Sequence, residues 1–221
     1  MPSSSEISGK LVLPRLYVIL DAVTLAAREL DLRDTAAALL GAGVTLMQYR
    51  DKIAFGSDLE RRVIAVRETL QGSNCRLILN DDPEMARRTG CDGVHVGQGD
   101  LGVAQARDLM GPGAVIGVST HTRREVIQAD AGEADYLGFG PLFATASKSN
   151  HEPEVGLDEL RLARTFTSKP LVAIGGITLE RVAPVLEAGA DAVAIIGALF
   201  QPGQAVGENA RRLLRAAERP S

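Results

Sequence analysis

The sequence predicts a single (β/α)₈ barrel. Three observations carry that expectation. Eight short runs rich in Val and Ile barely alternate in polarity, as strands buried on both faces do. Helical patterns lie between them. Five of the runs end in a compact polar cluster suited to a phosphate or a metal, and parallel strands deliver all their carboxyl ends to one face.

The elements follow in order. Leu16–Leu20 is the first strand and leads into Asp21-Ala22-Val23. Val44–Met47 is the second, followed by Gln48-Tyr49-Arg50-Asp51-Lys52 and a helical pattern over Leu59–Leu70. Arg76–Leu79 precedes Asn80-Asp81-Asp82, and Gly93–Val96 precedes Gly97-Gln98-Gly99-Asp100 and a helix over Val103–Leu109. Val115–Val118 runs into Ser119-Thr120-His121-Thr122. Tyr136–Phe139 opens onto the longest polar loop, Ala144–Glu154, with Thr145, Ser147 and Lys148. Leu171–Ile174 meets Gly175-Gly176 and a helix over Leu179–Ala188, and Ala192–Ile196 meets Gly197. A repeated join, Gly90-Cys91-Asp92, Glu133-Ala134-Asp135 and Gly189-Ala190-Asp191, has a small residue closing a helix and Asp opening the next strand. Eight such units in about 200 residues suit the lower end of the barrel size range. A doubly wound open sheet is the runner-up, but the Gly-rich fingerprint after its first strand is missing, and Gly138-Phe139-Gly140 has Phe143 at the third Gly position.

The chain has 221 residues, 45% hydrophobic and 24% charged, which is enough for one large core. No Pro/Ser/Gly-rich stretch divides its middle, so one domain over 1–221 is expected, with loose tails at 1–10 and 217–221. Net charge is −4, Trp is absent and no Lys/Arg run exists, which argues against nucleic acid. No apolar segment approaches the roughly 20 residues that span a bilayer. The start of the chain lacks a secretory pattern, and two cysteines outside any C-x-x-C suit a reduced, cytoplasmic compartment. Cys91 is expected as a small buried residue rather than a nucleophile.

Asp81 and Asp100 follow adjacent strands, so both carboxylates aim into one mouth, and Mg²⁺ takes one or two carboxylates with water and phosphate oxygens. A helix cap is the alternative for each, and is preferred for Asp82 before Pro83. Arg50 and Lys52 share a face and suit a diphosphate, or else form a surface pair with Asp51. Asn80 adds a neutral donor, and Gln48 suits a heterocycle edge. Gly175-Gly176 and Gly197 let backbone N–H groups approach a phosphate, commonly held after strands seven and eight. Two phosphate zones imply two phosphorylated substrates. His95 is expected as a packed histidine. His121 faces the mouth and is open to a functional role. No Ser–His–Asp or metal-type His cluster is present, which disfavours hydrolase and zinc chemistry.

Gly43–Lys52, Leu79–Asp81, Asp92–Leu101, Ile116–His121, Asp135–Phe143 and Ala173–Ile177 resemble, in order, the motifs of the thiamine phosphate synthase family. The resemblance implies a barrel that joins 4-amino-2-methyl-5-hydroxymethylpyrimidine diphosphate to 4-methyl-5-(2-phosphoethyl)thiazole with Mg²⁺. By that likeness Gln48 contacts the pyrimidine, and Arg50, Lys52, Asn80, Ser119 and Lys148 hold the diphosphate, with Arg50, Lys52, Ser119 and Lys148 as the catalytic set. Asp81 and Asp100 bind the metal. Thr145, Ser147, Gly176, Ile196 and Gly197 hold the thiazole phosphate. Three positions depart from the family pattern. Ser147 replaces a Thr, Asp82 stands where an Arg often follows Asn-Asp, and Gly197 replaces a Ser, which removes a hydroxyl from the monophosphate zone. Small-molecule partners alone are implied, with a homo-oligomer left open. A thiazole tautomerase with His121 as base and a non-catalytic ligand-binding barrel are the rivals. The joint presence of Arg50, Lys52, Asp81 and Asp100 disfavours both.

Overall fold

The computed structural model describes residues 11–145, 153–201 and 203–218. Eight parallel strands pair in chain order and close into a barrel. They are β1 Leu16–Asp21, β2 Leu46–Arg50, β3 Arg76–Asn80, β4 Gly93–Val96, β5 Val115–Thr120, β6 Tyr136–Phe139, β7 Leu171–Ile174 and β8 Ala192–Ile195. Closure pairs Leu16, Tyr17 and Val18 with Val193, Ala194 and Ile195. The helices are α1 Ala22–Ala26, α2 Leu32–Gly41, α3 Gly56–Thr69, α4 Pro83–Thr89, α5 Val103–Met110, α6 Arg123–Ala131, α7 Gly156–Arg164, α8 Val182–Glu187 and α9 Val206–Glu218. Among the described residues no helix is long and apolar enough to cross a membrane.

The strand positions follow the sequence, with four instructive shifts. β2 starts two residues late, because the Val44 N–H still bonds the Leu39 carbonyl of α2. Its end takes in Gln48, Tyr49 and Arg50, so part of the predicted post-strand cluster lies on the strand itself. The helix expected over Leu179–Ala188 divides into a 3-10 turn, Leu179–Arg181, and α8. Pro184 lacks the N–H that an α-helix starting at Leu179 needs, so the first turn tightens. Finally, α9 runs to Glu218 and buries Ala217, so 217–218 belong to the packed helix rather than to the tail expected at 217–221.

Two cores result from the alternation of side chains along each strand. One lies between strands and helices and includes Leu16, Val18, Leu20, Met47 and Tyr49. The other fills the barrel, with Tyr17, Ile19, Leu46, Ile78, Tyr136, Val172, Ala192, Ala194 and Ile196. Continuing that period of two, Asp21, Gln48, Arg50, Asn80 and Ser119 occupy inward positions nearest the carboxyl ends. Cys75 and Cys91 are free and buried. Burial pushes their thiols up, to about 12 and about 11, which fits inert packing residues.

The repeated Asp joins act at the opposite, amino-terminal face. Asp92, Asp135 and Asp191 each accept the N–H of the preceding strand, from Leu77, Ile116 and Leu171 at 2.8, 2.7 and 2.8 Å. Each also donates its own N–H to the same residue's carbonyl, at 2.8, 2.7 and 2.8 Å. Arg107 and Arg164 brace Asp135 and Asp191 at 2.6 and 2.7 Å. Removing one such carboxylate leaves a strand-end N–H without its acceptor, a loss of about 1–3 kcal/mol. Asp135→Ala is therefore expected to lower the melting temperature by about 4–8 °C and leave the substrate KM values unchanged. A melt and a kinetic titration check both halves of that expectation.

Candidate active site

The carboxyl ends of β1 to β4 gather the charged groups. Register sets Arg50 beside Asp21, and the guanidinium bonds that carboxylate at 2.5 Å. Asp21 is 1% exposed and also caps α1 through the N–H and hydroxyl of Thr24, at 2.9 and 2.7 Å. Arg50 is therefore held by β1 rather than paired with Asp51. Asp51 instead turns back on the Tyr49 hydroxyl, the N–H groups of Ile53 and Ala54, and Arg62. Burial works against that carboxylate, but these bonds hold it below its usual range. Lys52 forms an ion pair with Asp81.

Asp81 sits in the left-handed region, with φ 67°, and its N–H bonds the His95 carbonyl at 2.8 Å. Held backbone strain of this kind concentrates at working sites. Burial raises the Asp81 carboxyl, the nearby Asp100 carboxylate raises it further, and Lys52 offsets part of the rise. Asp100 also accepts the Gly97 N–H at 2.8 Å, which shapes its turn. Asp82 caps α4 through Met85 N–H at 2.8 Å, as its position before Pro83 implies. Asn80 ends β3, half-buried, beside His95 in the register. Among the described residues no group of three or more His, Cys, Asp or Glu side chains could hold a metal. Two crowded carboxylates, one pushed toward protonation, nevertheless suit a hard divalent ion that completes its shell with water and phosphate oxygens.

The ends of β5 to β8 enclose a cavity of about 330 Å³, lined by Ser119, Thr145, Gly176, Arg181, Ile196 and Gly197 among others. Gly175 and Gly176 adopt φ 97° and 62°. A side chain at Gly175 would come within 2.5 Å of Pro141, and one at Gly176 would run into the Ala144 carbonyl and Phe143. Only glycine allows this turn to lie against the β6–α7 loop. Arg181 lies 4.1 Å over the Phe143 ring and bonds the Gly176 carbonyl at 2.7 Å, placing a cation at the rim. His121 lines the same cavity with Nδ1 2.6 Å from the Gly140 carbonyl.

Between the two halves runs a hydrogen-bonded chain through the barrel. Gln48 Nε2 donates to the Tyr17 hydroxyl at 3.0 Å, and Tyr17 and Tyr136 hydroxyls lie 2.8 Å apart. His95 bridges Tyr136 through Nδ1 at 3.0 Å and Ser119 through Nε2 at 2.9 Å. Burial raises both tyrosine pKa values, so both phenols stay protonated.

The structure thus brings Thr145, Gly176, Ile196, Gly197 and Ser119 to one cavity. Arg50, Lys52, Asp81 and Asp100 stand with Asn80 at the ends of β2 to β4. Ser147 and Lys148 lie outside the described residues. Sequence reasoning missed Asp21, Arg181, Tyr17 and Tyr136. Of these, only Asp21, a charged residue directly after an apolar run, carried a local signal.

Comparison with known proteins agrees with this geometry. A family model described as thiamine monophosphate synthase matches residues 16–199. A thiamine-phosphate synthase of Koribacter versatilis is 45% identical over 192 residues, covering 86% of this chain and 90% of the relative. That of Chlorobium phaeovibrioides is 43% identical over 186 residues, covering 84% and 86%. A solved thiamine phosphate pyrophosphorylase from Pyrococcus furiosus superposes with a TM-score of 0.81 at 27% identity, covering 93% of this chain and 96% of its own.

The Asp21–Arg50 pair gives a test of the site's construction. Breaking a buried ion pair from one side costs about 3 kcal/mol, because the other charge is left unpaired. Arg50→Ala is expected to lose about that much in a urea titration. Asp21→Asn in the Arg50→Ala background is expected to recover at least half of it, since the neutral amide can still cap α1.

Proposed function

The chain belongs to the thiamine monophosphate synthase family, and from that premise we propose that its mouth couples a pyrimidine diphosphate to a thiazole phosphate, giving thiamine phosphate and diphosphate. The division of the mouth carries this reading. One half offers side-chain cations and paired carboxylates, and the other offers a glycine turn with Arg181 at its rim.

The reaction asks little of a protein base. The bond between the pyrimidinylmethyl carbon and the diphosphate oxygen breaks, and its electron pair leaves with diphosphate. The aminopyrimidine stabilises the cation that remains. The thiazole nitrogen then attacks with its lone pair, closing the new C–N bond. Catalysis is therefore stabilisation of negative charge on the leaving group plus placement of the acceptor.

Each residue has a part in this reading. Arg50, Lys52, Asn80 and Ser119 bind the departing diphosphate, joined by Lys148 from the segment outside the described residues. Asp21 holds the Arg50 fork toward the mouth. Asp81 and Asp100 hold Mg²⁺, which supplies charge neutralisation to the leaving diphosphate when bound. Gln48, its amide nitrogen committed to Tyr17, presents its oxygen to the pyrimidine amino group. Thr145, Gly176, Ile196 and Gly197 receive the thiazole phosphate, with Ser147 beside them in sequence and Arg181 as the cation at that rim. The substrates are soluble phosphates, in keeping with a cytoplasmic enzyme.

Incubation with both substrates and Mg²⁺, followed by oxidation to a fluorescent thiochrome, tests the reaction. A tautomerase would change only the thiazole, and a binding barrel would change nothing. Asp100→Ala is expected to raise the Mg²⁺ concentration needed for half-maximal rate and to lower turnover sharply; an unchanged rate at limiting Mg²⁺ would sink the metal assignment. Gly197→Ser is expected to tighten thiazole-phosphate binding about tenfold, the worth of one added hydrogen bond to a charged group. An equal or weaker dissociation constant would refute it.

A further inference from the structure

We propose that Tyr17, Tyr136 and His95 are positioning residues, a buried relay that fixes Ser119 as a hydrogen-bond donor and Gln48 as an acceptor toward the mouth. The proposal rests on the coupling reaction above and deepens it.

Gln48 Nε2 can only donate, so the Tyr17 oxygen accepts at 3.0 Å. The single Tyr17 proton then goes to its neighbour, the Tyr136 oxygen at 2.8 Å. The single Tyr136 proton goes on to His95 Nδ1 at 3.0 Å. With Nδ1 accepting, the ring proton lies on Nε2 and donates to Ser119 Oγ at 2.9 Å. Ser119 has now accepted one bond and keeps its own proton for the cavity it lines. Every link points the same way. Reversing one reverses all, including the Gln48 amide at the far end.

The surroundings preserve this arrangement. Tyr17, Tyr136 and Gln48 are 2%, 1% and 4% exposed, so water offers no competing partner at the phenols. Ring packing holds the members in place, with Tyr17 edge-on to Tyr136 at 5.8 Å and His95 tilted over Tyr136 at 5.5 Å. Two glycines make the room. A side chain at Gly117 would occupy the Tyr136 ring, and one at Gly138 would stand 3.2 Å from His95 Cε1. The relay joins the residue that meets the pyrimidine to one that meets the leaving diphosphate. A serine free to rotate would present lone pair and proton alike. Here the His95 N–H occupies one of its two lone pairs and orients the hydroxyl, so its proton is pre-set to donate as charge builds on the departing oxygen.

The test is a double-mutant cycle in the coupling assay, with kcat and both KM values measured. Ser119→Ala is expected to lower kcat about 100-fold, the usual loss for one pre-set oxyanion donor. Tyr136→Phe removes one buried hydroxyl and keeps the ring; it is expected to lower kcat about tenfold with the thiazole-phosphate KM unchanged. Tyr136→Phe added to Ser119→Ala is expected to cost no further kcat, because Tyr136 reaches the leaving group only through that hydroxyl, while its effect on the Gln48 end is read in the pyrimidine-diphosphate KM. Losses that multiply, an unchanged kcat in Tyr136→Phe, or a thiazole-phosphate KM that rises with it would overturn the relay. Should Tyr136→Phe not fold, Tyr17→Phe cuts the same chain one link earlier and is read by the same criteria. A wild-type protein that makes no product from the two substrates sinks the reaction and the relay together. An active wild type with multiplied losses sinks the relay alone.

Discussion

The inside of an eight-stranded barrel is only wide enough for side chains to fill it, and the rest of this structure depends on how they do so. Leu46, Ile78, Val172 and Ala192 fill part of that inside with aliphatic groups. Two tyrosines, a glutamine and a histidine share it with them. A buried polar atom left without a partner costs about 1–3 kcal/mol, so these groups must bond one another. Among the described residues no buried side-chain nitrogen or oxygen lacks a hydrogen-bond partner. Glycines at 117 and 138 are the steric counterpart of that polar layer. Charged groups then occupy the next inward positions, where the strands end and solvent begins.

That layering explains what could be read from the sequence. Strand positions were legible because the outward core is apolar at every second residue and much of the inward core is apolar as well. The mouth was legible because polarity rises at the strand ends. The same rise hid the true ends. An apolar run stops at Met47 or Leu79, whereas the strands continue through Arg50 and Asn80, whose polar side chains point inward. Boundaries drawn from hydrophobicity therefore fall short wherever a strand supplies the site.

The relay was not legible for a different reason. Tyr17 and Tyr136 look like ordinary core aromatics, and His95 sits between two valines. Each is a single residue in its own strand, 119 positions separating the two tyrosines. Only the register joins them. Asp21 was closer to legible, yet naming its partner needs the residue register between β1 and β2, which their adjacency in a barrel does not give. Side chains one layer apart on neighbouring strands meet in space without any sequence spacing that announces it.

The two halves of the mouth handle negative charge by different physics. In the β5–β8 half, on the proposed reading, a compact turn lets backbone N–H groups face a monophosphate, and Arg181 is anchored by Phe143 and Gly176 at its edge. In the β1–β4 half, among the described side chains, two cations, Arg50 and Lys52, face three carboxylates, Asp21, Asp81 and Asp100. Among these described side chains the carboxylates offset the cations, so by themselves they offer a diphosphate little net attraction. The carboxylates hold the cations in place before any substrate arrives, since unpaired buried charge is costly. On the proposed reading a divalent ion held by Asp81 and Asp100 would shift that balance toward positive charge. A leaving group that departs as a highly charged anion would then meet a more favourable site with its metal present. On that reading the acidic pair, together with the basic residues, is what would select for a metal-bound diphosphate.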